Sequence, residues 1–193
     1  NLCLAGGVAL NCVANGKILK SKIFDNIWVQ PASGDAGGSL GAALALWYDE
    51  QNNPRLINLK DDMQGSYLGP EYTQSEIEKE LKTIGAKFEI LTEDNLINKT
   101  AEDLSKGNAI GWFQGRMEFG PRALGGRSIL GDARSSDMQK ILNLKVKYRE
   151  SFRPFAPSIL NEDLNEWFDM NCDSPYMLMV SQINKKNIFE MNA

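Results

Sequence analysis

The apolar residues of this 193-residue chain fall into short runs separated by clusters of Gly, Pro, Asn and Asp. Asn1–Ala5 reads as a short buried strand, followed at once by Gly6-Gly7. From Val8 to Leu19 the apolar positions Leu10, Val13, Ala14, Ile18 and Leu19 recur at helical spacing. Ile27–Val29 reads as a second strand, Pro31–Gly38 as a turn of small residues, and Leu40–Tyr48 as a largely apolar helix. The order strand, glycine turn, helix thus occurs twice within the first 50 residues. A strand at the very start needs neighbours that two such units barely supply, so the chain is expected to be a piece of a longer protein.

Residues 51–65 are polar and read as a linker between two domains, 1–50 and 66–193, or as a surface loop within one. Beyond them, Thr73-Gln-Ser-Glu76 has the spacing of a capping box, with Ile77, Leu81 and Ile84 on one helical face and Gly85 as the stop. Phe88 and Ile90 alternate with charged residues, which predicts a half-buried strand. Asn95–Lys106 predicts a helix closed by Gly107, and Ser136–Asn143 a helix capped by Ser135 or Ser136. Ala109–Phe113, Ser128–Leu130, Phe155–Leu160 and Tyr176–Ile183 read as strands, and Glu162–Phe168 as a short helix. The alternation predicts the α/β or α+β class.

Composition narrows the function classes. The chain has 42% hydrophobic and 24% charged residues and a net charge of -4, ordinary for a globular protein and unlike the basic balance of a general nucleic-acid binder. No apolar run approaches the roughly 20 residues needed to span a bilayer. The three cysteines, Cys3, Cys12 and Cys172, have no zinc-type spacing and suit a reduced, cytoplasmic setting. There is no histidine, so a histidine-based triad cannot be built from this chain.

Against that acidic balance, six of the seven arginines lie between Arg116 and Arg153, where nine Lys/Arg face four Asp/Glu. Guanidinium groups present a planar fork that matches phosphate and carboxylate oxygens. Arg116, Arg122 and Arg127 stand in a loop with Gly115, Gly120, Pro121, Gly125 and Gly126, and Lys145, Lys147, Arg149 and Arg153 follow. If 145–149 is extended, Lys145, Lys147 and Arg149 share one face. The stretch reads as a pocket for a phosphorylated ligand, or as a solvated basic surface paired with Glu118, Asp132 and Glu150. Two further places invite chemistry. Gly6, Gly7 and Asn11 lie where a strand meets a helix N-terminus, which suits an anion or serves only as a tight turn. Asp35, among small residues, reads as a metal ligand or as an N-cap.

Four motifs together carry a family likeness. They are Leu-Ala-Gly-Gly-Val-Ala-Leu-Asn at 4–11, Pro-Ala-Ser-Gly-Asp-Ala-Gly-Gly-Ser-Leu-Gly-Ala-Ala at 31–43, Gly-Arg-Met-Glu-Phe-Gly-Pro-Arg-Ala-Leu-Gly-Gly-Arg-Ser-Ile-Leu at 115–130, and Phe-Arg-Pro-Phe-Ala-Pro-Ser-Ile-Leu at 152–160. In this order they resemble the NodU-type carbamoyltransferases, a family of nodulation-factor, aminoglycoside and cephamycin modification. The resemblance implies the tail of an actin-like (ASKHA) transfer domain, followed by an incomplete YrdC-like domain that makes carbamoyl-adenylate from carbamoyl phosphate and ATP. It implies Gly6, Gly7 and Asn11 at a nucleotide-contacting turn. It implies Asp35 as one ligand of iron or another divalent metal whose histidine ligands lie upstream. Arg122, Lys147 and Arg153 are the implied catalytic residues holding carbamoyl phosphate and ATP with Mg²⁺, with Arg116, Arg127 and Arg149 as neighbours. The implied acceptor is a small hydroxylated molecule, and the family continues beyond the equivalent of Ala193. Two other readings stand beside this one: an RNA-binding YrdC-like module, and a folded but inactive piece.

Overall fold

In the computed structural model, residues 1–58, 60–170 and 172–188 are described. The structure mixes helices with short strands and divides into two compact units that are interleaved along the sequence. Unit 1 holds residues 1–68, 118–124 and those from 158 onward; unit 2 holds 69–117 and 125–157. Residues 51–65, expected as a linker, belong with unit 1 by their contacts, apart from Leu59, which lies outside the described residues.

Unit 1 begins with strands β1 (Leu2–Leu4) and β2 (Ile27–Val29), which pair in parallel with Leu2 opposite Ile27 and Leu4 opposite Val29. A parallel pair needs a crossover, and α1 (Cys12–Ser21) supplies it. The single helix expected over 8–19 is divided: Gly7–Leu10 forms a 3₁₀ turn, and α1 starts afresh after Asn11. Asn11 Oδ1 accepts the backbone N–H of Ala14 at 3.1 Å, the N-cap bond that restarts the helix. Helix α2 (Asp35–Ala45) begins five residues earlier than expected and ends in a π-type turn, Leu46–Glu50.

The core of unit 1 is small: Ala9, Val29 and Leu178, with Leu4, Leu10, Ile27 and Tyr176 packed around it. Leu178 belongs to the run expected as the strand Tyr176–Ile183, and that expectation is corrected. Its backbone bonds go to α1, to the Asn15 side chain and to Asp169: Val180 N–H reaches Cys12 O at 3.3 Å, the buried Asn15 amide bridges Ala9 O and Leu178 O at 2.8 and 2.9 Å, and Gln182 O accepts Asp169 N–H at 2.9 Å. One bridge, Phe168 to Ile183, is its β-type pairing among the described residues. The short helix expected over 162–168 is present as a 3₁₀ turn, Asn161–Asp163, running into α6 (Leu164–Trp167).

Tyr176 also donates its hydroxyl to Asp61 Oδ2, joining the 51–66 segment to the end of the unit. That bond holds the Asp61 carboxyl below its ordinary range, and burial with the neighbouring carboxylate pushes the Tyr176 phenol up to about 12. A raised phenol pKa stabilises the fold below the unfolded value near 10, and the contribution is lost as the pH climbs from there towards 12. A lowered carboxylate pKa stabilises above the ordinary carboxylate range and is lost as the pH falls through it. A phenolate absorbance titration, taken as the difference between the native protein and Tyr176→Phe, is expected to show a midpoint well above 10. A midpoint near 10 would mean that the pair does not form.

Unit 2 contains α3 (Gln74–Thr83), α4 (Glu93–Ser105) and an antiparallel pair of strands. The capping box at α3 is realised: Thr73 Oγ1 accepts Glu76 N–H, and Glu76 returns a carboxylate oxygen to Thr73 N–H at 2.7 Å. Thr73→Ala is expected to lower stability by about 1 kcal/mol in urea unfolding, and an unchanged midpoint would remove the cap from the account. Strands β3 (Ile110–Phe113) and β4 (Arg127–Leu130) pair with Ile110 opposite Leu130 and Phe113 opposite Arg127.

Three expectations in unit 2 are corrected, and one at its border with unit 1. Phe88 and Ile90 do not enter a strand; their segment lies over α4, where Phe88, Leu91, Leu96 and Ile110 line a shallow groove. Phe155–Leu160 is irregular, and Pro154 and Pro157 remove N–H groups that a ladder would use. The helix expected over 136–143 is α5 (Met138–Ile141), which neither Ser135 nor Ser136 caps; Asp137 precedes it without a side-chain bond. Residues 145–149 are not extended, because α5 runs on through a π-type turn, Leu142–Val146.

Candidate functional site

In unit 1, three of the glycine-containing segments converge. The 3₁₀ turn carrying Gly7 and Leu10 meets the 31–34 turn, where a side chain at Gly34 would touch Leu10 Cδ1 at 3.4 Å. The 118–124 segment then closes against both. A Cβ at Gly120, whose φ is 108°, would stand 2.4 Å from the Ala32 Cβ, so no larger residue fits there without displacing the turn. Arg122 Nη2 donates to Leu10 O at 2.8 Å. The 118–124 loop is fixed from within and from 66–67: the buried Glu118 accepts Leu124 N–H at 2.7 Å, Phe119 N–H donates to Ser66 O at 2.6 Å, and Tyr67 donates to Leu124 O.

Arg122 therefore stands at the glycine turn that holds Gly6, Gly7 and Asn11. Gly6 has φ 87°, which lets the chain turn sharply between β1 and the 3₁₀ turn. Two buried polar atoms in this cluster, Ser33 Oγ and Arg122 Nε, have no hydrogen-bond partner among the described residues. A third such atom, Ser174 Oγ, lies outside the motifs. Leaving a buried donor unpaired costs about 1–3 kcal/mol. Ser33 lies within the 31–43 motif, but nothing in its spacing marks it for a role.

Asp35 is exposed in the first turn of α2, a position favoured by the helix dipole, and it is not the cap: Gly34 holds that position without a side-chain bond. Among the described residues no three His, Cys, Asp or Glu side chains gather where a metal could bind. The residues of this chain do not by themselves fit an iron or other divalent-metal site.

In unit 2 the basic residues divide into laced and open groups. Arg127 lies over the Phe113 ring, its guanidinium carbon 3.3 Å from the ring centre, and donates to Gln114 O, Gly115 O and Gly126 O. Arg116 donates to Gly69 O at 3.1 Å and pairs loosely with Glu71. Both therefore hold the loop between β3 and β4 in shape. Arg134 forms a bidentate pair with Asp132, whose carboxyl this bond and Arg134 N–H hold down to about 2.

The loop that follows α5 is organised by Asn143, which is fully buried. Its Nδ2 donates to Ser151 O at 3.1 Å and Arg153 O at 2.8 Å, and its Oδ1 accepts Arg149 Nε–H at 2.7 Å. Arg149 also stacks on Phe155, 4.9 Å from the ring centre. Arg153 forms an exposed ion pair with Glu150 at 2.8 Å, which lowers the Glu150 pKa. Exposed pairs of this kind are weak, so an incoming phosphate can displace the glutamate. Lys147 is exposed and has neither ion pair nor hydrogen bond from its side chain among the described residues. As the surface reading expects, Asp132 and Glu150 are paired with arginines, and Lys147 is exposed. Asn143 was missed; the only sequence signal is a lone amide within the apolar run Ile141-Leu142-Asn143-Leu144.

The fold and these two loop clusters place the motifs in ordered, anion-suited surroundings, and comparison with known proteins identifies their class. Residues 1–44 match the family model described as carbamoyltransferase N-terminus, and residues 101–193 the one described as carbamoyltransferase C-terminus. The chain belongs to the carbamoyltransferase family, of the NodU type. It is 56% identical over 188 residues to an uncharacterized protein of Synechocystis sp., covering 96% of this chain and 31% of that protein. It is 46% identical to nodulation protein NolNO of Sinorhizobium fredii, covering 97% of this chain and 28% of the relative. It is 32% identical to 3'-hydroxymethylcephem-O-carbamoyltransferase of Streptomyces clavuligerus, covering 96% and 33%. The chain thus spans about a third of the length of these relatives. No helix among the described residues is long and apolar enough to cross a membrane.

Proposed function

We propose that this chain supplies part of an O-carbamoyltransferase that forms carbamoyl-adenylate from carbamoyl phosphate and ATP, then passes the carbamoyl group to a hydroxyl of a small metabolite or sugar. The observation that carries the reading is the family match at both ends of the chain, with the four motifs in order. In support, one relative is named for O-carbamoylation of a hydroxymethyl group. By the family likeness, residues 1–50 are assigned to the actin-like transfer domain and 66–193 to the YrdC-like domain, although 66–68, 118–124 and the residues from 158 onward pack with unit 1. The parallel β1–α1–β2 unit suits the first assignment.

Atom balance sets the steps. Water removes the phosphate of carbamoyl phosphate as inorganic phosphate, a carbamate oxygen attacks the α-phosphorus of ATP, and pyrophosphate leaves. The acceptor oxygen then attacks the carbamoyl carbon, AMP departs, and the hydroxyl proton leaves to solvent. Two polyanions must approach each other in the first stage. Lys147 and Arg153 offset their repulsion and align them, with Arg149 held beside them by Asn143. Arg122, Gly6, Gly7 and Asn11 serve the nucleotide in unit 1. Mg²⁺ would serve as the counterion of ATP, and Asp35 would be one ligand of a divalent metal in the full-length protein, since the described residues of this chain do not hold one by themselves.

The test is pyrophosphate release by the full-length protein. Release that requires both ATP and carbamoyl phosphate supports the reading; release independent of carbamoyl phosphate, or none, overturns it.

A further inference from the structure

We propose that Asp61 is a positioning residue for Arg122: through a strained left-handed turn at 64–66 it sets the 118–124 loop of unit 1, and with it the guanidinium. Three consecutive residues, Gln64, Gly65 and Ser66, have φ of 49°, 69° and 65°. Glycine visits this region routinely, and then as a single residue, so a run of three that includes two side chains persists only where its surroundings hold it. Asp61 holds it. Its Oδ1 accepts Met63 N–H at 3.0 Å, its Oδ2 accepts Gly65 N–H at 3.0 Å, and its backbone oxygen accepts Gln64 N–H at 3.0 Å. Tyr176 fixes the carboxylate in turn: its hydroxyl donates to Asp61 Oδ2 and accepts Gly65 N–H at 3.1 Å.

The turn passes this order to the loop. Ser66, only 2% exposed, accepts Phe119 N–H on its backbone oxygen at 2.6 Å, and Tyr67 donates its hydroxyl to Leu124 O. Residues 66 and 67 thus clasp the loop near both of its ends, and Arg122 between them donates to Leu10 O at 2.8 Å. Every link from Asp61 to Arg122 lies within unit 1, so the two are joined by one contiguous network of hydrogen bonds and covalent chain. Neither Asp61 nor Tyr176 belongs to any of the four motifs. The turn is strained and exposed at Asp61, yet it carries the loop that brings Arg122 to the glycine turn. The inference rests on the proposed function only for the task of Arg122, and therefore for AMP as the probe.

Two measurements on the full-length protein test it: amide hydrogen exchange without ligand, and isothermal titration with AMP. Asp61→Ala is expected to speed exchange across 118–124 about tenfold while α1, in the same unit, exchanges as in the native protein. It is expected to weaken AMP binding about tenfold, since a loop in place a tenth of the time lowers affinity by that factor. Tyr176→Phe, which keeps the ring packed against Ala9, Val29 and Leu178, should do the same to a smaller degree. Asp61→Asn, which keeps one acceptor oxygen, should recover part of the loss. Asp61→Ala combined with Arg122→Ala should bind AMP no more weakly than Arg122→Ala alone, because both changes remove the same contact. Unchanged exchange of 118–124 in Asp61→Ala, or an equal rise in α1, overturns the positioning role and leaves the carbamoyltransferase reading standing. So do native AMP affinity in Asp61→Ala and additive losses in the double variant. A native protein that binds no AMP overturns the nucleotide assignment of unit 1 together with this inference.

Discussion

Replacing Lys147 with Ala in the full-length protein is expected to lower carbamoyl-phosphate-dependent pyrophosphate release about 100- to 1000-fold, the loss usual for a group that stabilises developing charge. The melting temperature should not move, because the Lys147 side chain is exposed and holds nothing in place among the described residues. Surface substitutions of that kind usually stay within about 0.5 kcal/mol. Arg153→Ala should cost activity too, but it also releases Glu150 from its ion pair. Lys147 is therefore the cleaner probe. Near-normal turnover in Lys147→Ala would show that the anions are held elsewhere.

The largest stability effect is expected at Asn143. Asn143→Ala leaves Ser151 O and Arg153 O without their donor and Arg149 Nε without its acceptor, all around a residue with no exposed surface. A loss of about 2–4 kcal/mol is expected, several times the net worth of one hydrogen bond, because the partners are left unmatched. Urea unfolding measures it. Asn143→Asp keeps the acceptor for Arg149 and loses both donors, so its unfolding midpoint should fall between the two. Equal stability of all three proteins would remove Asn143 as the organiser of the loop.

Much of unit 2 is legible in the order of its residues. Thr73 and Glu76 satisfy each other's backbone within one turn, α4 follows its local spacing, and β3 finds its partner in β4. Of the expected strands that failed, Phe155–Leu160 is broken by prolines and two others lack a ladder to join. Phe88 and Ile90 have a strand's alternation but no neighbouring ladder, and Tyr176–Ile183 gives its backbone bonds to α1, Asn15 and Asp169, with one β-type bridge to Phe168. The alternation expected of Lys145, Lys147 and Arg149 failed because Asn143 O accepts Arg149 N–H and α5 continues through a wide turn.

The amino-acid sequence by itself determined the family, the capping box at Thr73 and Glu76 and the clustering of cations, since each depends on residue identity at short spacing. Which arginine does what was decided only by the tertiary structure. Arg127, Arg116 and Arg134 look alike in sequence to Arg122, yet carbonyls, an aromatic ring and carboxylates occupy them. Arg122 belongs with a glycine turn more than 100 residues earlier in the chain, at Leu10. A guanidinium's task depends on which acceptors the fold brings within hydrogen-bonding distance, and contacts of that sequence separation leave no periodic trace along the chain.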